Sequence, residues 1–135
     1  MADESEEAIQ VSVHQAVGGD EFFVELVERF YAGVAEEPLL RSMYPDDLTE
    51  PKRHLAGFLI QFWGGSQAYS EERGHPRLRM RHVPFSIGPA ERDAWQRNML
   101  RAMNSLVEER GILPEAEIAM RDYFTMSAEA MRNAE

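Results

Sequence analysis

Among the four histidines of this sequence, His82 is the strongest candidate for a chemical role, and it lies in an arginine-rich stretch between Pro76 and Pro84. Pro76 favours the start of a helix and Pro84 disfavours helical geometry at Val83, so any helix between the two prolines is short. A helix well under about 12 residues is marginal by itself and needs something else to order it. A metal or a metal-containing cofactor bound through His82 would supply that order. The alternative is a surface histidine on an arginine-rich loop.

The other histidines and the absence of cysteine narrow the possible chemistry. The chain has no cysteine, which excludes disulfides, thiolate catalysis and thiolate zinc sites. A zinc site formed by His54, His75 and His82 is disfavoured, because their spacing matches no recognised pattern such as His-x-x-x-His with a nearby glutamate. His54 and His75 are instead predicted to be surface or carboxylate-binding residues, and His14 carries no functional signal.

Three polar aromatic side chains, those of Tyr31, Tyr44 and Trp95, are predicted to point toward the core. Each carries a hydrogen-bond donor that needs a partner when it is buried. A nearby backbone carbonyl is the ordinary partner for any one of them taken alone. Convergence of all three on one pocket would instead form a site rich in donors, suited to a ligand that becomes partly negative when bound.

Composition and charge restrict the kind of partner that the protein can have. The 135 residues suit one domain, and 24 acidic against 14 basic residues give a net charge of −10. This charge argues against nucleic acid and anionic membranes as partners. No apolar run reaches the ~18 residues of a membrane-spanning helix and no signal-peptide pattern opens the chain, so a cytoplasmic protein is expected.

The elements that must position the candidate side chains are all predicted to be helices. Residues 1–9 are polar and acidic and are expected to form a disordered tail, which leaves 10–135 as the folded domain. Nothing in the chain is typical of a strand. Apolar residues recur at helical spacing in four substantial segments, near 21–35, 51–63, 88–110 and 114–131.

Local signals predict where these helices begin and which faces they bury. Asp20 and Thr49 are predicted to cap the first two substantial helices, and Ser86 or Gly88 the third. Pro114 is predicted to start the fourth helix. Its buried sides are predicted to carry the apolar residues Ile118, Ala119, Met120, Tyr123, Phe124, Met126, Ala130 and Met131.

Several longer motifs resemble the truncated haemoglobins, and specifically their group II, the O-type subfamily. The resemblance covers nearly the whole chain, from Ala16 to the last helix. It is carried by Arg29-Phe30-Tyr31, Met43-Tyr44-Pro45, Phe62-Trp63-Gly64-Gly65, the run from Tyr69 to His82, Pro84-Phe85 and Glu91-Arg92-Asp93-Ala94-Trp95. The resemblance implies a two-over-two α-helical sandwich that binds haem b (iron protoporphyrin IX). In that fold the pair 21–35 and 51–63 lies across the pair 88–110 and 114–131.

The resemblance also implies roles for individual residues. It makes His82 the proximal ligand of the haem iron and Tyr31, Tyr44 and Trp95 the distal donors. Pro51 takes the distal-helix position where many globins have histidine or glutamine, so a bound ligand would rely on these three donors. The further haem contacts that it implies are Leu55, Phe58, Leu59, Leu78, Met80, Phe85, Met99 and Met126, with Arg79, Arg81, His54 and Tyr69 as candidates for the propionates.

The implied function is reversible binding of dioxygen, carbon monoxide, nitric oxide or sulfide at the iron. A hydrogen bond to a charged acceptor contributes about 1.5–3 kcal/mol, so two or three donors would slow oxygen release by orders of magnitude, too far for ordinary transport. One alternative is a redox enzyme with peroxidase-like or nitric-oxide-detoxifying activity, re-reduced by an electron-donating reductase. Another is a haem-free helical interaction module. Monomers and homo-oligomers are both compatible with the sequence.

Overall fold

The structure is a computed structural model that describes residues 11–135, and the predicted tail 1–9 lies outside the described residues. The described part is built from helices and contains no strand, and none of its helices is long and apolar enough to cross a membrane. The helices are α1 (Val13–Ala16), α2 (Asp20–Val34), α3 (Pro38–Arg41), α4 (Thr49–Phe62), α5 (Ala68–Arg73), α6 (Leu78–His82), α7 (Pro89–Arg110) and α8 (Pro114–Ala130). The prediction of an all-α chain with four substantial helices is confirmed.

Two pairs of long helices form a two-layered sandwich. Helix α2 packs against α4, and α7 packs against α8. Helix α2 also packs on α7, so the two pairs contact each other through these two helices. The short helices complete the layers, with α3 against α7 and α5 against α4. The predicted two-over-two arrangement is therefore confirmed.

The core is centred on the inward face of α2, whose apolar residues recur every three or four positions. The buried residues of this face are Phe22, Phe23, Leu26, Val27, Phe30, Tyr31 and Val34. The two helices of the other layer, α7 and α8, add the fully buried Met99, Met103, Leu106, Met120 and Phe124. Because the same face that carries Phe30 also carries Tyr31, packing of the core directs that tyrosine inward.

Helices α2 and α7 approach each other closely at Gly33. A Cβ atom at this position would lie 2.1 Å from the side-chain oxygen of Asn98 and 3.1 Å from its Cγ. Asn98 is only 3% exposed and is held in place, since its amide donates a hydrogen bond to the carbonyl of Ala94 at 2.9 Å. Tyr31 lies two residues before Gly33 and Trp95 lies three residues before Asn98. This contact therefore sets the separation of the two helix segments that carry these aromatic residues.

Two of the predicted helix caps are wrong by one residue. Asp20 and Thr49 are the first residues of α2 and α4, and in each case the preceding residue is the cap. The carboxylate of Asp20 lies 2.6 Å from Nε2 of His14. The backbone N–H of Thr49 donates to the carboxylate of Asp47 at 3.0 Å, so an acidic side chain upstream satisfies this helix end. Gly88, one of the two caps predicted for the third long helix, is confirmed.

The predicted buried face of α8 is too broad. Ile118 is 60% exposed, Met126 is 68% exposed and Ala130 is also exposed, so none of the three lies on a buried side of the helix. The buried residues recur every four positions, which leaves Ile118 and Met126 on other faces of the helix. They are Ala116, Met120, Phe124 and Ala128.

Replacing Gly33 with alanine should destabilise the protein by about 1–3 kcal/mol, the usual cost of adding a methyl group to a filled interior. Alanine favours a helix over glycine by about 1 kcal/mol, so the expected loss has the opposite sign to the helix propensity. Urea unfolding followed by circular dichroism would measure it. The reason for the expected loss is the contact of 2.1 Å with a buried side chain that is held in place.

Gly57→Ala on α4 is the matched control, because a Cβ there would meet only ordinary contacts, 3.7 Å from Cβ of Tyr69. This variant should be as stable as the parent or more stable, by up to about 1 kcal/mol. Equal behaviour of the two variants would show that the approach of α2 to α7 is not tight at Gly33. Recovery of stability on adding Asn98→Ala to Gly33→Ala would assign the strain to Asn98.

Candidate cofactor and ligand site

A cavity of about 280 Å³ lies among the long helices and reaches α6. Its wall is mostly apolar, with a small number of polar side chains. The predicted site residues that line it are Tyr31, Tyr44, His54, Leu55, Phe58, Leu59, Tyr69, Leu78, Arg81, His82 and Trp95. Pro51, the predicted distal-helix position, also lies in the wall. A mostly apolar cavity with a few placed polar groups is the usual form of a small-molecule or cofactor site.

His82 is the last residue of α6, and it lines the cavity together with Leu78, the first residue of that helix. Its Nδ1 lies 2.6 Å from the backbone carbonyl oxygen of Leu78. Because a carbonyl only accepts hydrogen bonds, Nδ1 carries a proton, and in the neutral imidazole Nε2 then has the free lone pair. A histidine whose second ring nitrogen is held in this way is oriented to ligate a metal through Nε2.

The three polar aromatic residues reach the cavity from different parts of the chain. Tyr31 lies on α2, Tyr44 follows α3 and Trp95 lies on α7. The rings of Tyr31 and Tyr44 pack edge to face with centroids 5.3 Å apart. Phe30 contacts both Tyr31 and Trp95, with ring centroids at 4.9 and 5.4 Å. One aromatic cluster therefore brings the three donors to the same cavity.

Burial holds the two tyrosines in their neutral form. The pKa of Tyr31 is raised far above its ordinary value, first by burial and then by the neighbouring Tyr44. Burial also raises the pKa of Tyr44, and the Tyr31 hydroxyl offsets part of this effect. Since desolvation disfavours the phenolate, both side chains present a protonated hydroxyl at physiological pH.

Cationic and imidazole side chains line part of the cavity wall. Arg73 has its guanidinium 5.8 Å from the ring centroid of Tyr69, and within residues 11–135 it forms no ion pair. His54 is predominantly neutral at pH 7, because burial lowers its pKa and the charges of Arg73 and Arg53 lower it further. The full set is His54, Arg73, Arg81 and Arg92. This part of the wall can accept an anionic substituent of a ligand.

Five of the predicted haem contacts do not line the cavity: Arg79, Met80, Phe85, Met99 and Met126. Leu78 and His82 lie one helical turn apart on the inner face of α6, so Arg79 and Met80 lie on its outer side, where Met80 is 61% exposed. Met99 is fully buried in the core, and the half-buried Phe85 follows the end of α6. Met126 faces away from the wall that Phe124 forms.

Other wall residues had no site role assigned from the sequence. Arg73 lies four residues after Tyr69 on α5, so the helical spacing was a usable signal that both face one side. The α8 residues follow the same rule, since Phe124, Ala128 and Met131 lie at successive turns. The residues without an assigned role are Leu40, Met43, Arg73, Ile87, Glu91, Arg92, Tyr123, Phe124, Ser127, Ala128 and Met131.

The side chains that line the cavity fit a haem, and they do not fit a metal ion bound by protein side chains alone. Within residues 11–135 no three histidine, aspartate or glutamate side chains group around a possible ion site, which removes support from the zinc alternative. A haem site combines a side chain that can ligate the iron, an apolar pocket for the ring and polar groups for two propionates. His82 offers such a side chain, the cavity wall is apolar, and Arg73 and His54 are polar groups without a strong competing bond.

Comparison with known proteins identifies relatives of this chain. Residues 12–131 match the family model of the bacterial-like globins. The group 2 truncated hemoglobin YjbI of Bacillus subtilis is 48% identical over 86 residues, which are 64% of this chain and 65% of that protein. The match thus spans slightly less than two thirds of that relative's length.

Solved structures extend the similarity to most of the chain. The hemoglobin of the thermophilic phototrophic bacterium Chloroflexus aurantiacus superposes with a TM-score of 0.86 at 47% identity, covering 92% of this chain and 99% of that one. The truncated oxygen-avid haemoglobin of Bacillus subtilis superposes with a TM-score of 0.83 at 38% identity, covering 91% and 100%. This chain therefore belongs to the bacterial-like globins, and within them to the truncated haemoglobins of group II.

Proposed function

We propose that this protein binds haem b through His82 and retains a diatomic gas, above all dioxygen, with slow release. Globins bind haem and diatomic gases, and the proposal adds which residues control the bound gas. The observation that carries it is one cavity that joins a histidine of defined tautomer with Tyr31, Tyr44 and Trp95. The similarity to the truncated oxygen-avid haemoglobin of Bacillus subtilis also supports a proposal of tight oxygen binding.

Haem, when bound, would supply an iron able to hold a diatomic gas. In the proposal Nε2 of His82 ligates that iron. Arg73 and His54 are the side chains proposed to hold the propionates. Arg81 and Arg92 are less suited to this role, because Arg81 donates to backbone carbonyls and Arg92 pairs with two carboxylates.

Donation of hydrogen bonds is the role that the chemistry of the three aromatic residues supports. The indole N–H of Trp95 can only donate. Tyr31 and Tyr44 are kept protonated by burial, so neither serves as a base near neutral pH. A peroxidase-like enzyme would need a group that takes a proton from peroxide, and these three residues do not provide one. His54, the neutral imidazole in the same wall, is assigned to a propionate in this proposal, so oxygen retention is favoured over a peroxidase-like activity. The enzymatic alternative would also need a reductase as partner.

Replacing His82 with alanine should abolish or strongly alter haem binding, because the substitution removes the only proposed axial nitrogen. Absorption spectra of the oxidised, reduced and oxygenated protein would show this as loss or displacement of the Soret band. His75→Ala is the control, since His75 is exposed and lies outside the cavity wall. Normal spectra for the His82 variant, or a parent protein that takes up no haem, would contradict the proposal.

Replacing Tyr44 or Trp95 with phenylalanine should speed oxygen dissociation by about 10- to 100-fold for each donor that contacts the ligand. This range follows from the ~1.5–3 kcal/mol of a hydrogen bond to a charged acceptor. Stopped-flow displacement of oxygen by carbon monoxide would measure the rates. Tyr123→Phe is the matched control, because Tyr123 also lines the cavity but its hydroxyl lies beside Ser127. Unchanged rates in both variants would remove Tyr44 and Trp95 from the mechanism.

Replacing both Tyr31 and Tyr44 with phenylalanine should reduce the loss of stability at alkaline pH. Their pKa values are raised in the folded state, so the unfolded chain releases these protons first, at its ordinary value of about 10. The stabilisation is complete below that pH and is lost as the pH rises toward the folded values. Urea unfolding at a series of pH values would compare the slopes. Equal slopes above about pH 10 would mean that the two phenols ionise as in the unfolded chain.

A further inference from the structure

Helix α6 carries the proposed iron ligand but has little to hold it in place by itself. It contains only five residues, Leu78–His82, which is too short for an independently stable helix. Its outer side contributes little burial, since Met80 is 61% exposed and Val83, the next residue after the helix, is 70% exposed. Contacts from outside the helix must therefore determine where His82 lies.

Asn133, in the segment that follows α8, supplies such contacts. Its side-chain Nδ2 donates to the carbonyl of Phe85 at 2.9 Å and to the carbonyl of His82 at 3.3 Å. Its Oδ1 accepts a hydrogen bond from the backbone N–H of Ile87 at 2.8 Å. The backbone N–H groups of Asn133 and Ala134 both donate to the carbonyl of Ile87, at 2.9 and 3.0 Å. One side chain thus binds the start, the middle and the end of the 82–87 segment.

These contacts restrain His82 at two points. The carbonyl of His82, at the helix C-terminus, has no partner within the helix. It accepts one hydrogen bond from the backbone N–H of Phe85 at 3.0 Å and a second from the amide of Asn133. The imidazole ring is held separately by the carbonyl of Leu78. The main chain of His82 is therefore tied to the segment after α8, while its ring is tied to α6.

The same part of the chain that holds His82 also forms the cavity wall. Phe124, Ala128 and Met131 line the cavity from α8 and the residue after it, and Asn133 follows two residues later. The position of His82 relative to this wall is thus set by a short, hydrogen-bonded path. The start of α6 is held independently, since Nε of Arg81 donates to the carbonyl of Pro76 at 2.7 Å.

We propose that Asn133 is a positioning residue that orders the 82–87 segment and sets the orientation of His82 before the cofactor binds. The inference rests on the proposed role of His82 for its functional meaning. The ordering itself depends on hydrogen bonds within the chain, so it can be tested in protein without haem. Asn133 does not line the cavity and acts on the cofactor only through His82.

Hydrogen–deuterium exchange of the haem-free protein tests the ordering directly. Asn133→Ala removes the side-chain bonds, and Asn133→Asp keeps an acceptor for Ile87 but replaces the donor with an oxygen that faces two carbonyls. In both variants amides within 82–88 should exchange about tenfold faster than in the parent, as expected for the loss of one or two hydrogen bonds. Amides within α2 should be unchanged. Asn104→Ala, at an exposed asparagine of α7, is the matched control and should leave all segments unchanged.

Two measurements on the haem-loaded protein distinguish positioning of His82 from a general effect on stability. The iron–histidine stretching band in resonance Raman spectra should shift or broaden in both Asn133 variants and keep its position in Asn104→Ala. Transfer of haem to an acceptor apoprotein should be about tenfold faster for the Asn133 variants, by the same reasoning.

Parent-like exchange at 82–88 in the haem-free variants would overturn the proposal, as would a uniform increase over all helices, which would indicate general destabilisation. An unchanged iron–histidine band would overturn the positioning of His82. Failure of the parent to bind haem would refute the proposed function instead, and the exchange experiment would still decide whether Asn133 orders the segment.

Discussion

The close approach of α2 to α7 at Gly33 and Asn98 is the constraint on which the ligand side of the site depends. It leaves no room for a side chain at Gly33, and it joins the helix that carries Tyr31 to the helix that carries Trp95. Phe30 fills the space between these two aromatic rings. The separation of Tyr31 and Trp95 is therefore set by backbone approach and aromatic packing in the core. One added methyl group at Gly33 is expected to lower the stability of the protein.

The histidine side of the site depends on polar contacts instead of core packing. Helix α6 is short and its outer side is exposed, so hydrogen bonds from Arg81 at one end and Asn133 at the other determine its place. The sequence suggested that a bound metal or cofactor would be needed to order this stretch. The structure offers a different source of order, because one asparagine from the segment after α8 donates hydrogen bonds to a carbonyl at the end of α6 and to another in the loop after it.

Helical periodicity predicted inward-facing side chains reliably only where a helix has one narrow apolar face. On α2 one narrow apolar face repeats over 15 residues, and Tyr31 falls within it, so its inward direction could be predicted. On α8 apolar residues occur on several sides, and periodicity alone could not distinguish the buried Phe124 from the exposed Met126. The same limit applied to α6, where five residues are too few to define a face. Leu78 and Met80 were both expected at the cofactor, and only Leu78 lines the cavity.

The sequence by itself determined the four long helices and the inward direction of Tyr31 and Trp95, because helical spacing relates residues one or two turns apart. It singled out His82 by a different route, through the two flanking prolines and the family motifs. The tertiary structure decided which charged side chains reach the cavity and what holds α6. Arg73 reaches the wall because α5 packs on α4. The hydrogen bond from Asn133 to the carbonyl of His82 joins residues 51 positions apart. No local pattern encodes such a pairing, since it forms only when α8 folds back beside the segment that it holds.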